Sequence, residues 1–104
     1  MSVQRLDDKN FEEFISQNAV AVVDFYADWC MPCRIMSPRI DELSEELKEV
    51  AFSKLNVDEN SSIAQRFGII SIPTLIIFKN GSQVDEIVGT RSKDGVRETV
   101  SKYL

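Results

Sequence analysis

Two short, almost wholly apolar segments limit the folds that are open to this chain. The first is Ala19-Val20-Ala21-Val22-Val23 and the second is Thr74-Leu75-Ile76-Ile77-Phe78. Side chains alternate between the two faces of a strand, so each segment would be apolar on both faces. Strands of this kind are typical of a sheet that helices cover on each side. The chain is therefore predicted to adopt an α/β fold.

The rest of the chain alternates between strand-like and helix-like periodicity. The predicted strands are 3–6, 19–27, 50–57, 74–78 and 82–88, and the predicted helices pass through 11–15, 31–48, 61–67 and the residues after 92. Asn80-Gly81 is the strongest short hairpin signal, which makes the last two strands antiparallel. We expect a mixed central sheet of about five strands flanked by about four helices, with Asp7 or Asp8 capping the first helix.

Composition narrows the class of protein. A chain of 104 residues with 43% hydrophobic content predicts one packed domain over residues 1–104. No apolar run reaches about 18 residues, so no membrane span is expected. The first residues lack the pattern of a signal peptide, which makes the cytoplasm the expected location. The net charge is −5 and the basic residues are scattered, so nucleic acid is not an expected partner.

Cys30 and Cys33 are the only cysteines, and they stand where a predicted strand gives way to a predicted helix. Unpaired backbone N–H groups and the helix dipole favour the thiolate there, which is the form that attacks disulfides. Cys33 falls on the same side of the first turn, and Pro32 suits that turn. A disulfide ring this small stabilises a fold by only about 2 kcal/mol. We therefore predict redox chemistry, in which Cys30 attacks and Cys33 resolves the mixed disulfide.

Other interpretations of the cysteine pair remain open at this point. The chain has no histidine, so a zinc site would have two thiolates and only carboxylates besides, and no metal site is expected. A structural disulfide and two unconnected buried thiols are further alternatives. A binding module in which the cysteines are incidental is the rival class of function. Disulfide formation in place of reduction depends on the redox potential.

The sequence resembles the thioredoxin family, with a Cys-Met-Pro-Cys active site. The matching segments, in the expected order, are 23–34, Pro38, 54–58, 67–69, 72–74, 78–81 and 88–89. The resemblance implies the thioredoxin fold and protein-disulfide reduction. The sequence departs from the family at Met31, where most members carry glycine, and at Tyr26, where tryptophan is more usual. These departures bear on the redox potential and on the choice of reductase.

The resemblance also gives roles to residues away from the cysteines. Asp24 interrupts an apolar strand, where burial raises the pKa of a carboxyl group. The matching acid of the family moves a proton to or from the second cysteine, so Asp24 is the candidate base for Cys33. Lys54 resembles the lysine beside that acid, although sequence alone does not bring the two together. Pro73 matches a cis-proline that faces the cysteines, where the backbone of Ile72 can pair with an extended substrate.

An apolar docking patch for substrate is also implied around Cys30. Its expected members are Trp29, Met31, Pro32, Ile72, Pro73, Val88 and Gly89. Exposed apolar patches commonly mark partner sites.

The expected activity is that of a protein-disulfide reductase in cell redox homeostasis. It needs no cofactor beyond the Cys30–Cys33 disulfide and acts as a monomer, away from membranes and nucleic acids. By analogy with the family, a thioredoxin reductase-like donor supplies its electrons, and proteins that carry disulfides are its substrates.

Overall fold

The alternating pattern is confirmed in the computed structural model, which describes residues 3–104. The elements in chain order are β1 (Val3–Leu6), α1 (Phe11–Gln17), β2 (Val20–Tyr26), α2 (Met31–Glu46), β3 (Ala51–Asn56), α3 (Ser61–Arg66), β4 (Thr74–Lys79), β5 (Ser82–Val88) and α4 (Lys93–Ser101). Among these residues no helix is long and apolar enough to cross a lipid bilayer.

The five strands form one mixed sheet in the order β1-β3-β2-β4-β5. Strand β3 pairs in parallel with β1 and β2, whereas β4 pairs antiparallel with β2 and β5. The first apolar segment becomes β2 at the centre of the sheet and the second becomes β4 beside it. The predicted fold class is therefore confirmed, with the two most apolar strands in the most covered positions.

Strand β2 divides its side chains between two hydrophobic cores, one on each face of the sheet. Val20 and Val22 belong to the core that α2 and α4 cover. Val23 and Phe25 belong to the opposite core, which α1 and α3 cover. Because successive side chains alternate, Asp24 points to the same face as Val22, beneath α2. The sequence thus directs one carboxyl group toward the helix that carries Cys33.

The start of α1 differs from the prediction. Asn10 is the N-cap residue, without a side-chain capping bond. The Asp7 carboxylate instead accepts hydrogen bonds from the backbone N–H groups of Lys9 and Asn10, at 2.9 and 3.1 Å. The prediction of Asp7 or Asp8 as the N-cap was wrong. The Asp7 side chain instead closes a turn over residues 7–10, which precede the first residue of α1.

The turn between β4 and β5 follows the sequence signal. Asn80 and Gly81 have φ angles of 52° and 85°, so both lie in the left-handed region that a two-residue type I′ turn requires. The turn pairs Lys79 with Ser82, and a register shift of one residue between Ile77 and Phe78 then places Val88 opposite Thr74. The end of β5 is thereby held beside the segment that enters β4.

Candidate active site

The two cysteines lie at the junction of β2 and α2, where the prediction put them. Cys30 is the N-cap of α2, and its sulfur accepts a hydrogen bond from the backbone N–H of Cys33 at 3.2 Å. The two residues form a disulfide with their Cα atoms 5.3 Å apart. Both are almost fully buried, at 3% and 4% exposure. The positive end of a 16-residue helix therefore faces the sulfur of Cys30.

Behind the disulfide lies a cavity of about 300 Å³. Cys33, Asp24 and Lys54 all line it, together with Tyr26 and Ser37. These residues come from β2, α2 and β3, and the cavity connects Cys33 with the acid predicted to be its base. Its size is sufficient for water molecules to occupy it.

Asp24 is a buried carboxyl group whose Oδ1 atom has no hydrogen-bond partner among residues 3–104. Burial removes the water that would stabilise its charge and raises its pKa from 3.8 to about 7. The positive charge of Lys54 opposes this shift, while the negative charge of Asp41 adds to it. Asp24 is therefore able to hold or release a proton near neutral pH.

Lys54 is brought beside Asp24 by the register of the sheet. The two residues are Cα partners on the neighbouring parallel strands β2 and β3. The Lys54 ammonium also lies 5.7 Å from the centre of the Tyr26 ring, within reach of a cation–π interaction. Neither contact follows from local sequence, because each depends on how two strands are aligned.

The segment before β4 supplies the opposite wall of the site. The Ile72–Pro73 peptide bond is cis, and the Ile72 carbonyl oxygen lies 3.8 Å from the sulfur of Cys30. Gly89, with a φ angle of 84°, donates its N–H to the Pro73 carbonyl at 2.8 Å. Ile72, Pro73, Val88 and Gly89 thus come together where β4 begins and β5 ends, and Ile72 packs against Cys30.

The exposed rim of the site contains three large apolar side chains. Trp29 is 69% exposed, Met31 63% and Val88 55%. Trp29 is not part of the core, and its indole N–H donates a hydrogen bond to the Asp58 carboxylate at 2.8 Å. Pro32 is exposed between the cysteines, and Ile72 is partly buried against them.

Trp29 is the only tryptophan of the chain, so its fluorescence can test the hydrogen bond to Asp58. We expect Asp58→Ala to lower the fluorescence anisotropy of Trp29, because the exposed indole loses its polar anchor. Stability should change by less than about 0.5 kcal/mol, as for most surface substitutions. Glu59→Ala, which removes the neighbouring exposed carboxylate, is the matched control and should leave the anisotropy unchanged. Equal anisotropy in Asp58→Ala and the parent protein would show that the hydrogen bond does not restrain the ring.

Sequence reasoning assigned no role to two residues that shape the site. Asp58 anchors Trp29 from 29 positions away, which no local pattern indicates. Arg34 donates two hydrogen bonds to the carbonyl of Asp28, at 2.9 and 3.2 Å, and so fixes the loop that leads to Cys30. Within residues 3–104, no group of three or more potential metal-ligating side chains is assembled.

Comparison with known proteins gives one consistent family. The family model described as Thioredoxin matches residues 2–102. The chain is 44% identical to a thioredoxin of Pyropia yezoensis, over 100% of this chain and 99% of that one. It is also 44% identical to a thioredoxin of Staphylococcus haemolyticus, over the full length of both.

Solved structures agree with this result. A Plasmodium falciparum thioredoxin superposes with a TM-score of 0.92 at 35% identity, covering 98% of this chain and all of that one. A mutant thioredoxin from Halobacterium salinarum gives a TM-score of 0.93 at 34% identity, covering 98% and 90% of the two chains.

Proposed function

The chain belongs to the thioredoxin family and is a thiol–disulfide oxidoreductase, and we propose that it reduces protein disulfides through Cys30 and Cys33. One observation supports these roles above all others. The sulfur of Cys30 caps α2 and accepts the Cys33 N–H, so the helix terminus stabilises negative charge on Cys30. Cys33 lies behind it, lining the cavity of Asp24.

The proposed reaction has two exchanges. The Cys30 thiolate attacks one sulfur of a substrate disulfide; that S–S bond breaks, and the other substrate sulfur leaves as a thiolate. Cys33 then loses its proton and attacks the sulfur of Cys30, which releases the second substrate thiolate. The protein ends in the oxidised state with the Cys30–Cys33 bond formed, as the structure has it. Two electrons pass from the protein dithiol to the substrate.

Asp24 is the proposed base for the second exchange. It lines the same cavity as Cys33, and its raised pKa of about 7 allows it to take a proton near neutral pH. A water molecule in the cavity can carry the proton between the two groups. Lys54 has the proposed role of holding part of the Asp24 population ionised, because its positive charge lowers the pKa of that carboxyl group.

Substrate docking is proposed at the exposed apolar rim. Trp29, Met31 and Val88 supply apolar contact surface around a cysteine that is itself nearly buried. The Ile72 carbonyl lies next to the sulfur of Cys30, which suits backbone pairing with an extended substrate segment. Pro32, Pro73 and Gly89 complete this surface.

The setting of the reaction is also proposed. Residues 1–104 act as one thioredoxin-like domain and as a monomer in the cytoplasm. A thioredoxin reductase-like protein supplies the electrons, and no metal or organic cofactor takes part. The net charge of −5 supports partners other than nucleic acid.

Reduction of insulin disulfides by a dithiol, followed by turbidity, tests the reductase activity. The protein should accelerate precipitation well above the rate of the dithiol alone. Equilibration of its cysteines against a glutathione buffer measures the reduction potential of the Cys30–Cys33 pair. A potential below that of glutathione indicates a reductase, because such a pair gives up its electrons more readily than glutathione does. No acceleration, or a potential in the range of strong oxidants, would contradict the proposed function.

A further inference from the structure

A second cavity, of about 280 Å³, lies on the other face of the sheet from Asp24. Thr74 and Val88 line it and are Cα partners, and Glu86 lies two residues along β5 on the same face. Ile76, the Cα partner of Glu86, belongs to the core that α1 and α3 cover. The cavity is therefore separate from the one that connects Asp24 with Cys33.

Two of the apolar residues that line this cavity are strongly exposed. Ile70 is 96% exposed, more than any other large apolar residue that the structure describes, and Val88 is 55% exposed. The two side chains border one cavity, so their exposed surfaces can contact the same ligand. An exposed apolar pair of this kind can be covered by an aliphatic stem.

One carboxylate stands at the same cavity without a cation. Glu86 is exposed, and within residues 3–104 its side chain makes no hydrogen bond or ion pair. Several other surface carboxylates form ion pairs, as Glu12 does with Arg66 and Glu59 with Arg5. An apolar wall next to an unpaired negative charge is complementary to a side chain with an aliphatic stem and a cationic head, as in lysine and arginine.

The cavity begins close to the reacting sulfur. The Ile72 carbonyl lies 3.8 Å from the sulfur of Cys30, and Ile70 is two residues before Ile72. Two extended residues span at most about 7 Å. A substrate segment that pairs with the Ile72 backbone would therefore carry a side chain over this cavity about two residues from its attacked cysteine, because alternate residues share a face.

We propose that the cavity beside Ile70, Val88 and Glu86 binds a lysine or arginine side chain of the substrate protein. The stem of that side chain packs on Ile70 and Val88, and its charge pairs with Glu86. The preferred substrate is then a disulfide with a basic residue about two positions from the attacked cysteine. This inference rests on the proposed function, because it concerns substrate choice at the same site.

The test uses peptides in which one cysteine forms a mixed disulfide with thionitrobenzoate. Attack by the reduced protein releases the coloured thiol, so the second-order rate constant is read directly. The peptides differ only in having lysine, norleucine or glutamate two positions before or after the cysteine. In one of these series, with the varied residue either before or after the cysteine, the parent protein should react about two- to fivefold faster with the lysine peptide than with the glutamate peptide. This ratio corresponds to the free energy of an exposed ion pair. Glu86→Lys should reverse that order.

Two further variants separate local contact from general charge. Glu98→Lys makes the same change of charge on α4, which covers the opposite face of the sheet, and should leave the peptide preference unaltered. Ile70→Ser should slow the lysine and norleucine peptides about fourfold, as expected for the loss of roughly one buried methylene contact. Reactions run near 0.15 M ionic strength, where charges more than about 8 Å apart are largely screened.

The possible outcomes separate this inference from the reaction itself. If all peptides react at similar rates in the parent protein and in Glu86→Lys, the basic-residue site is wrong, while the reductase activity stands. The same conclusion holds if Glu98→Lys shifts the preference as much as Glu86→Lys does. Failure of every peptide to release its thiol would overturn the proposed reaction, and the substrate preference with it.

Discussion

Cys33→Ser is expected to stop turnover after the first exchange and to accumulate a mixed disulfide between Cys30 and the substrate. The Cys33 N–H donates to the sulfur of Cys30, and the pair closes a disulfide, so the resolving group is held next to its target. A serine hydroxyl cannot attack a disulfide at neutral pH. Resolution must then come from an external thiol, without the effective concentration of roughly 10⁵ M or more that a well-oriented neighbour provides.

We expect turnover in the insulin assay to fall by roughly 10³-fold or more, since only the slow external route is left. Intact-protein mass spectrometry should show one substrate chain attached to Cys33→Ser. Cys30→Ser is the matched control, with the same chemical change three residues earlier, and should give neither turnover nor an adduct. Turnover of Cys33→Ser near the parental rate, or an equal yield of adduct in both variants, would mean that the roles of the two cysteines are wrongly assigned.

Asp24→Asn is expected to slow resolution of the mixed disulfide about 10²-fold or more, the usual contribution of a positioned base. The initial attack by Cys30 should change far less, because Asp24 shares its cavity with Cys33 and not with the substrate rim. In the parent protein the resolution rate should rise with pH and level off above about 7, where Asp24 is ionised. Stopped-flow measurement of both steps from pH 5 to 9 checks this, and an equal slowing of both steps would contradict the role.

The same substitution should stabilise the protein at neutral and higher pH. Burial raises the pKa of Asp24 from 3.8 to about 7, so between these values the folded protein holds a proton that the unfolded chain has released. The free energy of unfolding therefore falls as pH rises through that window, by on the order of 4 kcal/mol in total. Asparagine does not titrate, so Asp24→Asn removes this loss.

Urea unfolding of the oxidised protein at several pH values measures the effect. The stability advantage of Asp24→Asn should be small near pH 4, grow up to about pH 7 and then stay constant. Asp28→Asn removes the same charge at an exposed position of the same cavity and is the matched control. Lys54→Met should extend the window to higher pH, because it removes the charge that lowers the pKa of Asp24. A constant difference between Asp24→Asn and the parent at all pH values would refute the burial argument.

The resemblance to the family and the local patterns together anticipated most of the site. The redox cysteines were predicted from their position and spacing, whereas the role of Asp24 and the cis form of Pro73 were predicted only from the resemblance. The environment of each residue was less accessible. Trp29 was expected in the docking patch, but only the structure shows how far its side chain is exposed and that it donates a hydrogen bond to Asp58.

The sequence by itself determined the order of the elements, the α/β class and the position of the cysteine pair between a strand and a helix. Side-chain periodicity and turn signals act over a few neighbouring positions, so they can be read along the chain. Only the tertiary structure decided which distant residues meet. The proximity of Lys54 to Asp24 depends on the register of β2 against β3. The cavity that Ile70 and Glu86 line depends on how β5 lies beside the segment before β4. Strand order and register are set by the packing of the whole core, which no short stretch of sequence contains.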